Sequence, residues 1–255
     1  MSFDIAGNYD RYFASRLYDH RYPHPNPACL DLIVNEIRRS GSRVLDFGCG
    51  NGRYIAPLLD RTDATLVAYD ISPEAIRELS RRQAPHIESG RLRPFLGDLA
   101  ALRAAVGADG CFDLALMMFG VLGHIASGAL RQEALATLRD LLRPGGRLIV
   151  TVPNIGRRFL KEQKVARQRG LEPGDILYRR RTHDRTIHMY YHLYNLAEFQ
   201  HELEQAGFQI VRLRAESVLP ESGVVKSAPL RWLDHMLAAI TPLRYAYGFL
   251  AVARR

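Results

Sequence analysis

The sequence has few cysteines, and their arrangement excludes two kinds of structure. Three are present among 255 residues, at positions 29, 49 and 111. Their odd number, their wide separation and the lack of a CxxC pair argue against a disulfide scaffold and a structural zinc site, so no metal is expected. Reduced cysteines suit a reducing compartment, and we expect a cytoplasmic location.

Long apolar runs and repeats are also missing. No uncharged apolar stretch reaches the roughly 18 residues of a spanning helix, so no integral membrane segment is expected. The first residues, MSFDIAGNYDRYF, lack the basic start and apolar stretch of a secretory signal. With 47% hydrophobic and 24% charged residues, the composition is that of a globular protein rather than of a disordered chain.

Strand-like apolar runs alternate with amphipathic stretches, which is typical of a parallel sheet with crossover helices. Strands are predicted at residues 42–47, 64–69, 92–96, 111–118, 147–152, 208–214 and 245–253, and helices at 53–60, 73–82, 129–142 and 195–206. We therefore expect an α/β fold in one domain, residues 1–255, built as a Rossmann-like doubly wound sheet. Residues 1–40 should form an N-terminal helical cap, and residues 155–190 an inserted basic lid.

Positive charge is concentrated in that insertion. The chain carries a net charge of +8, and residues 157–185 hold ten Lys or Arg against four acids, a difference of +6. A solvated charged face is the usual meaning of such a run. The functional alternative is a rim that attracts an anion such as a phosphate, a carrier-bound acyl group, a nucleotide or RNA.

A glycine-rich turn follows the first predicted strand, in VLDFGCGNG at residues 44–52. Glycines at 48, 50 and 52 allow a sharp bend and close approach of a ligand. The dinucleotide fingerprint would require a third glycine at position 53, which is Arg53. Asp46, two residues before the turn, would repel a pyrophosphate and attract a cation such as the ammonium of an amino acid.

Two further acids end the next strands. Asp70 lies 22 residues after Gly48, where a carboxylate can accept hydrogen bonds from both hydroxyls of a ribose. Asp98 follows the third strand and can accept from an exocyclic amine such as that of adenine. A ligand with a ribose, an amine-bearing base and a cationic amino-acid head satisfies all three acids. S-adenosylmethionine meets these requirements better than NAD.

Six segments in order resemble the class I S-adenosylmethionine-dependent methyltransferases. They are VLDFGCGNGRY, VAYDIS, FLGDLA, FDLALMMFGVLGHI, LLRPGGRLIVTVPN and HLYNLAEFQHELEQAGFQIV, within about residues 44–211. The resemblance implies a seven-stranded, mostly parallel sheet whose antiparallel last strand lies beside the fifth. It also implies S-adenosylmethionine as cofactor and S-adenosylhomocysteine as product.

The resemblance further implies cofactor-binding roles for individual residues. Asp70 would hold the ribose, Asp98 the adenine amine, and Ile71 and Leu99 would sandwich the adenine ring. The methionine end would be bordered by Asp46, Gly48, Gly50, Asn51, Met117 and Met118.

His124, in GVLGHI after the fourth predicted strand, is the candidate general base. The loop that carries it should lie at the carboxyl edge of the sheet, where ligands bind in open α/β folds. Methyl transfer needs a base only when the nucleophile must lose a proton early, as a hydroxyl does. The alternative is that His124 caps the next helix or packs against the cofactor.

Two aromatic clusters are candidates for ligand contact. Tyr9 and Arg21, in a tyrosine-rich N-terminal segment, could bind the cofactor's carboxylate, although ordinary aromatic packing explains them equally well. Tyr190, Tyr191 and His192 could form a wall of the substrate pocket, or pack on the sheet as the lead-in to the next element.

Two functions remain open. The first is methyl transfer to oxygen or nitrogen of a small metabolite, including an anionic or lipid-linked one, since MFGVLGHI resembles small-molecule methyltransferases such as sugar N-methyltransferases. The second is RNA modification, since RYPHPNPACLDLI and YYHLY resemble tRNA wobble-uridine carboxymethyl methyltransferases. MMFG stands where base methylases carry NPPY, which favours the first. A non-enzymatic binding module is a third alternative.

Two further points concern assembly and packing. The sequence leaves open whether the protein forms an oligomer. The amphipathic residues 230–240 are expected to pack in the core.

Overall fold

A seven-stranded sheet forms the centre of the computed structural model, which describes residues 4–107, 111–182 and 186–255. Its order is β3-β2-β1-β4-β5-β9-β8. The strands are β1 (Arg43–Phe47), β2 (Thr65–Asp70), β3 (Leu92–Leu96), β4 (Phe112–Met117), β5 (Leu142–Pro153), β8 (Gln209–Ser217) and β9 (Gly248–Arg254). Strands β1 to β5 pair in parallel, and β9 pairs antiparallel with both β5 and β8. The predicted Rossmann-like α/β sheet with an antiparallel last strand beside the fifth is confirmed.

Helices cover both faces of this sheet. They are α1 (Ile5–Ala14), α2 (Leu17–Arg21), α3 (Pro27–Ser40), α4 (Ile55–Arg61), α5 (Pro73–Arg82), α6 (Ala84–Glu88), α7 (Leu99–Val106), α8 (Val121–His124), α9 (Gly128–Leu141), α10 (Leu160–Gln168), α11 (Leu196–Gln205), α12 (Glu221–Val224) and α13 (Ala228–Ile240), with a 3₁₀ turn at Leu243–Tyr245. One core cluster lies between the sheet and α7, α9 and α11, and another between the sheet and α3, α4 and α5. Burial on both faces explains why the central strands read as continuous apolar runs.

Local signals set most of these boundaries. Ser72 caps α5 by accepting a hydrogen bond from the Ala75 amide at 3.2 Å, and Pro73 follows at the first helical position. Gly207 ends the turn after α11 with φ 82°. Residues 143–146, between the predicted helix 129–142 and the predicted strand 147–152, lie within β5, where the register against β4 shifts between Phe112 and Leu114.

Residues 155–182 and 186–192 form α10 and the antiparallel pair of β6 (Asp175–Arg181) and β7 (Thr186–His192), called the hairpin below. Asp184 and Arg185, which were counted in the charge of the predicted lid, lie outside the described residues. Residues 1–3 of the predicted helical cap also lie outside them. The hairpin buries one apolar face, with Ile176, Tyr178 and Met189, against Tyr12 of α1. The insertion and the N-terminal helices therefore pack together above the carboxyl end of the sheet.

Helix α13 corrects one prediction. Residues 230–240 were expected in the core, yet Trp232 is 67% exposed and Ile240 is 79% exposed. Asp234 is the buried residue of this helix, and its Oδ1 accepts the amides of Val218 and Leu219 at 2.8 and 2.7 Å. Most apolar side chains of the helix are exposed, while Leu237 packs against the core and Asp234 bonds the helix to the backbone after β8. Within the described residues, no helix combines the length and hydropathy needed to cross a bilayer.

Candidate active site

A cavity of about 430 Å³ opens at the carboxyl ends of β1, β2 and β4, under α1 and the hairpin. This is the edge at which open α/β sheets bind ligands. Ten of the residues predicted as site residues line it: Tyr9, Gly48, Gly50, Asp70, Ile71, Asp98, Leu99, Met118, His124 and Tyr191. The sequence therefore placed most of the candidate site on one cavity, although the roles of these residues stay predictions.

The glycine turn forms one wall of the cavity. Gly48 and Gly50 have φ of 76° and 55°, a left-handed conformation that side chains disfavour. A Cβ on Gly48 would lie 2.6 Å from Val121 Cγ1, and one on Gly50 would lie 2.9 Å from Phe13 Cζ. Glycine is needed here both for the bend and for the approach of α8 and α1.

Asp70 at the end of β2 is buried and holds this turn in place. Its Oδ2 accepts the Gly50 amide at 2.7 Å, and its Oδ1 accepts the Ser72 amide at 2.9 Å. Burial raises the pKa of Asp70, and these backbone donors partly oppose that rise. Each carboxylate oxygen has two lone pairs, so Asp70 can accept further hydrogen bonds from ribose hydroxyls at the cavity surface.

The adenine end predicted from the sequence has suitable chemistry. Asp98 caps α7 through one oxygen, which accepts the Ala101 amide at 2.8 Å. Its second oxygen can accept from an exocyclic amine. Ile71 is 38% exposed although it is apolar, and Leu99 is also partly exposed on the cavity wall. Two apolar side chains beside a carboxylate suit a flat base that carries an amino group.

Asp46 lies behind the turn, buried and outside the cavity lining. Burial and the nearby Asp70 carboxylate raise the pKa of Asp46 to about 7, against the lowering effect of Arg53. A carboxylate in that position lacks adequate solvation, and a cationic group of a ligand would stabilise its charged form.

Replacing Asp46 by asparagine should stabilise the ligand-free protein and weaken cofactor binding. The pKa is about 7 when folded and 3.8 when unfolded. The folded state thus binds more protons between these values, and wild-type stability falls as pH rises from 4 to 7. The variant escapes this loss, so its advantage should grow over that range to roughly 4 kcal/mol. Denaturant unfolding at pH 5 and pH 8 tests this, and an advantage independent of pH would contradict it.

Aromatic residues of the N-terminal helices cover the methionine end predicted for the cavity. Asp10 of α1 accepts the Ser72 hydroxyl at 3.0 Å and the Glu74 amide at 2.7 Å, which fixes α1 over Asp70. The Tyr9 hydroxyl is buried and has no hydrogen-bond partner among the described residues. An unpaired buried hydroxyl costs about 1–3 kcal/mol, so a ligand group that pairs with it would be bound more tightly.

His124 ends α8 and faces the cavity between two tyrosines. Its ring stacks on Tyr191 with centroids 3.9 Å apart, and meets Tyr9 edge-on at 5.1 Å. Nδ1 lies 3.0 Å from the carbonyl oxygen of Tyr190, which can only accept, so Nδ1 carries the proton. Burial, with smaller contributions from Arg158 and Arg180, lowers the pKa of His124 to about 3, against the raising effect of the bond to the Tyr190 carbonyl. The imidazole is neutral at physiological pH, with Nε2 as a hydrogen-bond acceptor.

The remaining predicted site residues lie outside this cavity. Asn51 donates to Asp19 at 2.6 Å and to Glu78 at 3.1 Å, which ties α2 to α5. Met117 is fully buried in the core. Arg21 lines a second cavity of about 410 Å³ that adjoins the first.

Tyr190 and His192 belong to a polar network on the outer side of the hairpin. Both bond to Asp175, Tyr190 at 2.7 Å and His192 at 2.6 Å, while His192 Nε2 lies 2.8 Å from Glu198. These two carboxylates raise the pKa of His192 although burial opposes them.

His192, Glu198 and Glu202 have polar atoms within 4.8 Å of one another, as metal ligands do. Arg131 pairs with Glu202 at 2.9 Å, so the guanidinium already balances the charge of that carboxylate. This network fixes the hairpin to α9 and α11.

Several residues that line the cavity were not predicted as site residues, and Arg158, Arg180 and Phe119 bear on its chemistry. Arg158 and Arg180 were counted in the charge of the insertion but not singled out, and both line the two cavities. Phe119 also lines both and has φ 61°, a strained conformation for a bulky residue. Its ring lies 3.9 Å from the guanidinium carbon of Arg53. The glycine that follows Phe119 was the available signal of an unusual turn.

The sheet order, the glycine turn and the acids at the ends of β2 and β3 define an S-adenosylmethionine-dependent methyltransferase of the Rossmann-like class. The Methyltransferase domain family matches residues 18–213, and the chain belongs to that family. S-adenosylmethionine is the methyl donor of this class, and the polar groups that line the cavity fit it.

Comparisons with known proteins agree on this class. The chain is 35% identical to a ubiquinone biosynthesis O-methyltransferase of Xylella fastidiosa over 134 residues, 51% of this chain and 49% of that protein. It is 30% identical to the mouse tRNA (carboxymethyluridine(34)-5-O)-methyltransferase ALKBH8 over 138 residues, 53% of this chain and 18% of that protein. The chain thus spans about half the length, or less, of these relatives.

A solved structure extends the likeness in fold to the whole chain. It is the Burkholderia thailandensis 1,6-didemethyltoxoflavin-N1-methyltransferase, which was crystallised with S-adenosylhomocysteine. Its TM-score is 0.61 at 20% identity, with 100% of this chain and 91% of that chain covered.

Proposed function

We propose that the protein transfers a methyl group from S-adenosylmethionine to an oxygen or nitrogen atom of a small metabolite. The observation that carries the proposal is the covered cavity in which Asp70, Asp98 and a neutral His124 face one space. The N-terminal helices and the insertion act as its cap and lid. The 35% identity to an O-methyltransferase of ubiquinone biosynthesis supports a small acceptor.

The residues of the chain then divide the work. The bound cofactor supplies an electrophilic methyl group whose leaving group is a neutral thioether. Asp70 and Asp98 hold the ribose and the adenine amine, and Tyr9 closes the methionine end. His124 Nε2 accepts the proton that a hydroxyl acceptor loses as its oxygen forms the bond to the methyl carbon. Because the leaving group is neutral, alignment is the main task of the protein.

RNA modification is the second candidate, because the chain resembles the mouse tRNA methyltransferase. Purified protein with methyl-labelled S-adenosylmethionine and host-cell extract, separated into small-molecule, lipid, protein and RNA fractions, distinguishes the two. We expect label in the small-molecule or lipid fraction. Label in RNA that is lost on nuclease treatment would overturn the first proposal. A protein that binds S-adenosylhomocysteine but labels no fraction would favour a binding module. The cytoplasmic location and any oligomer stay predictions.

A further inference from the structure

The second cavity adjoins the first and shares lining residues with it at the end proposed to hold the acceptor. The residues that line both are Tyr22, Phe119, Arg158, Phe159 and Arg180. A molecule in the second cavity would therefore share a wall with the space that His124 faces. Its volume, about 410 Å³, is sufficient for a small organic molecule.

Positive charge dominates this second cavity. Five cations line it, Arg21, Arg157, Arg158, Lys161 and Arg180, against the two acids Glu162 and Glu221. Glu221 is already paired with the buried Arg53 at 3.1 Å, and it interacts with Arg158 only at longer range, as the buried Glu216 does. The lining therefore offers cations from α2, α10, β6 and the loop before α10 to a single space.

Three of these arginines have buried donors without partners. The Nε groups of Arg21, Arg158 and Arg180 are buried, and none has a hydrogen-bond partner among the described residues. Nor does any of the three form an ion pair with a carboxylate in that part of the chain. Buried donors are normally satisfied, and each exception needs an explanation such as an absent ligand.

Aromatic rings hold Arg158 in position. Its guanidinium carbon lies 4.8 Å from the Tyr247 ring centroid and 5.6 Å from those of Phe159 and Tyr191. Rings of this kind orient a guanidinium without neutralising it. A planar cation that keeps its charge is suited to bidentate recognition of a carboxylate or a phosphate.

We propose that Arg21, Arg158 and Arg180 bind an anionic group, a carboxylate or a phosphate, on the methyl acceptor. The acceptor is then a small acid whose anion lies in the second cavity and whose body extends past Phe119 towards His124. This inference rests on the proposed function. The limited volume of about 410 Å³ and the partly aromatic lining favour a small acid over a polymer such as RNA, whose phosphates would need an extended basic surface.

Occupation of this site would also affect His124. The groups facing its ring are Tyr9 from α1, Tyr191 from β7, Arg158 and Arg180. Burial is the largest cause of the low pKa of His124, and the charges of the two arginines are smaller causes in the same direction. An anion between them would offset their charge and raise that pKa by the part that the two arginines contribute, while the larger effect of burial would stay.

Anion binding can be measured without a known acceptor. The full chain saturated with S-adenosylhomocysteine would be titrated calorimetrically with inorganic phosphate, benzoate and neutral benzamide, at constant ionic strength maintained with chloride. We expect phosphate or benzoate to bind and benzamide not to bind; which anion binds more tightly separates the phosphate and carboxylate sources. Replacing Arg158 or Arg180 by glutamine should weaken binding roughly tenfold or more.

Arg179→Gln is the matched control, because it removes the same charge from the neighbouring, exposed position of β6. It should bind both anions like wild type. Equal binding by Arg158→Gln, Arg180→Gln and Arg179→Gln, or no anion binding by the wild type, would overturn the proposal. Folding of each variant is checked by circular dichroism and by cooperative unfolding in denaturant, because Arg158 and Arg180 also line the first cavity. A wild type that binds anions but not S-adenosylhomocysteine would instead refute the proposed function.

The chemistry of the labelled product gives a second test. If the anion serves only for recognition, the methyl group should be stable to mild base and the product should keep its acidic group. Release of labelled methanol by base would show a methyl ester, so that the anion itself was the nucleophile, and would overturn this arrangement.

Discussion

Replacing Asp70 by alanine is expected to weaken S-adenosylmethionine binding about 100-fold or more. The variant would lack the two charge-assisted hydrogen bonds that we expect between the carboxylate and the ribose, each contributing about 1.5–3 kcal/mol. The variant would also lack the hydrogen bonds that the amides of Gly50 and Ser72 donate to Asp70, which hold the glycine turn. Calorimetric titration with S-adenosylmethionine and with S-adenosylhomocysteine measures the loss, which should be similar for both ligands because the ribose is common to them.

Asp234→Ala provides a matched control for that variant. Asp234 is as buried as Asp70, and it likewise accepts two backbone amides, those of Val218 and Leu219. Its loss should lower stability while leaving cofactor affinity unchanged. If both variants lost affinity equally, the effect of Asp70 would be structural. If Asp70→Ala bound the cofactor like wild type, the assignment of the cofactor site would be wrong.

The sequence predicted the sheet and the residues at the ends of β1 and β2 that line the cavity, because these depend on short-range patterns. A buried strand, the glycine turn of Gly48 and Gly50, and an acid at the next strand end are adjacent in sequence and have fixed geometry in this fold. Parallel pairing then brings Asp70 and Gly50 together, with the 2.7 Å hydrogen bond between them. The remaining uncertainty at this end concerned side chains such as Met117, which points into the core.

The structure of the basic insertion was harder to predict, because its many charged residues hide the two-residue alternation of buried and exposed side chains in its strands. In β6, buried Ile176 and Tyr178 alternate with exposed Leu177 and Arg179, a two-residue period typical of a strand with one buried face. Three successive arginines follow, and they suggested a solvated run. Only the tertiary packing against α1 separates Arg180, at the cavity, from Arg179, which is exposed.

The part of the cavity around His124 also depended on contacts distant in sequence. Tyr190, Tyr191 and His192 form one continuous strand, so neighbours face opposite ways. Tyr191 faces the cavity and stacks on His124, while Tyr190 and His192 both bond to Asp175. The predicted cluster therefore serves two regions.

Replacing His124 by asparagine is expected to lower the rate of methyl transfer about 100-fold while changing cofactor affinity less than about twofold. General-base catalysis contributes typically 10²–10⁴ in rate. Asparagine can still donate from its amide to the Tyr190 carbonyl but lacks the Nε2 acceptor. The labelled fraction identified with the wild type supplies the acceptor for this assay. An unchanged rate at saturating acceptor would leave His124 as a packing residue.

The pH dependence tests the same residue without relying on the size of the rate loss. His124 has a pKa of about 3 when folded and 6.5 when unfolded, so the unfolded state binds more protons between these values. The free energy of unfolding should therefore fall as pH drops below 6.5, by up to about 2 kcal/mol at pH 5, and the asparagine variant should lack this pH dependence.

The kinetics give a separate test. The ratio kcat/KM reports the free enzyme and should show no loss from His124 protonation between pH 8 and 5. kcat reports the complex, and a base pKa higher there than in the free enzyme would show that the bound acid has offset the charges of Arg158 and Arg180.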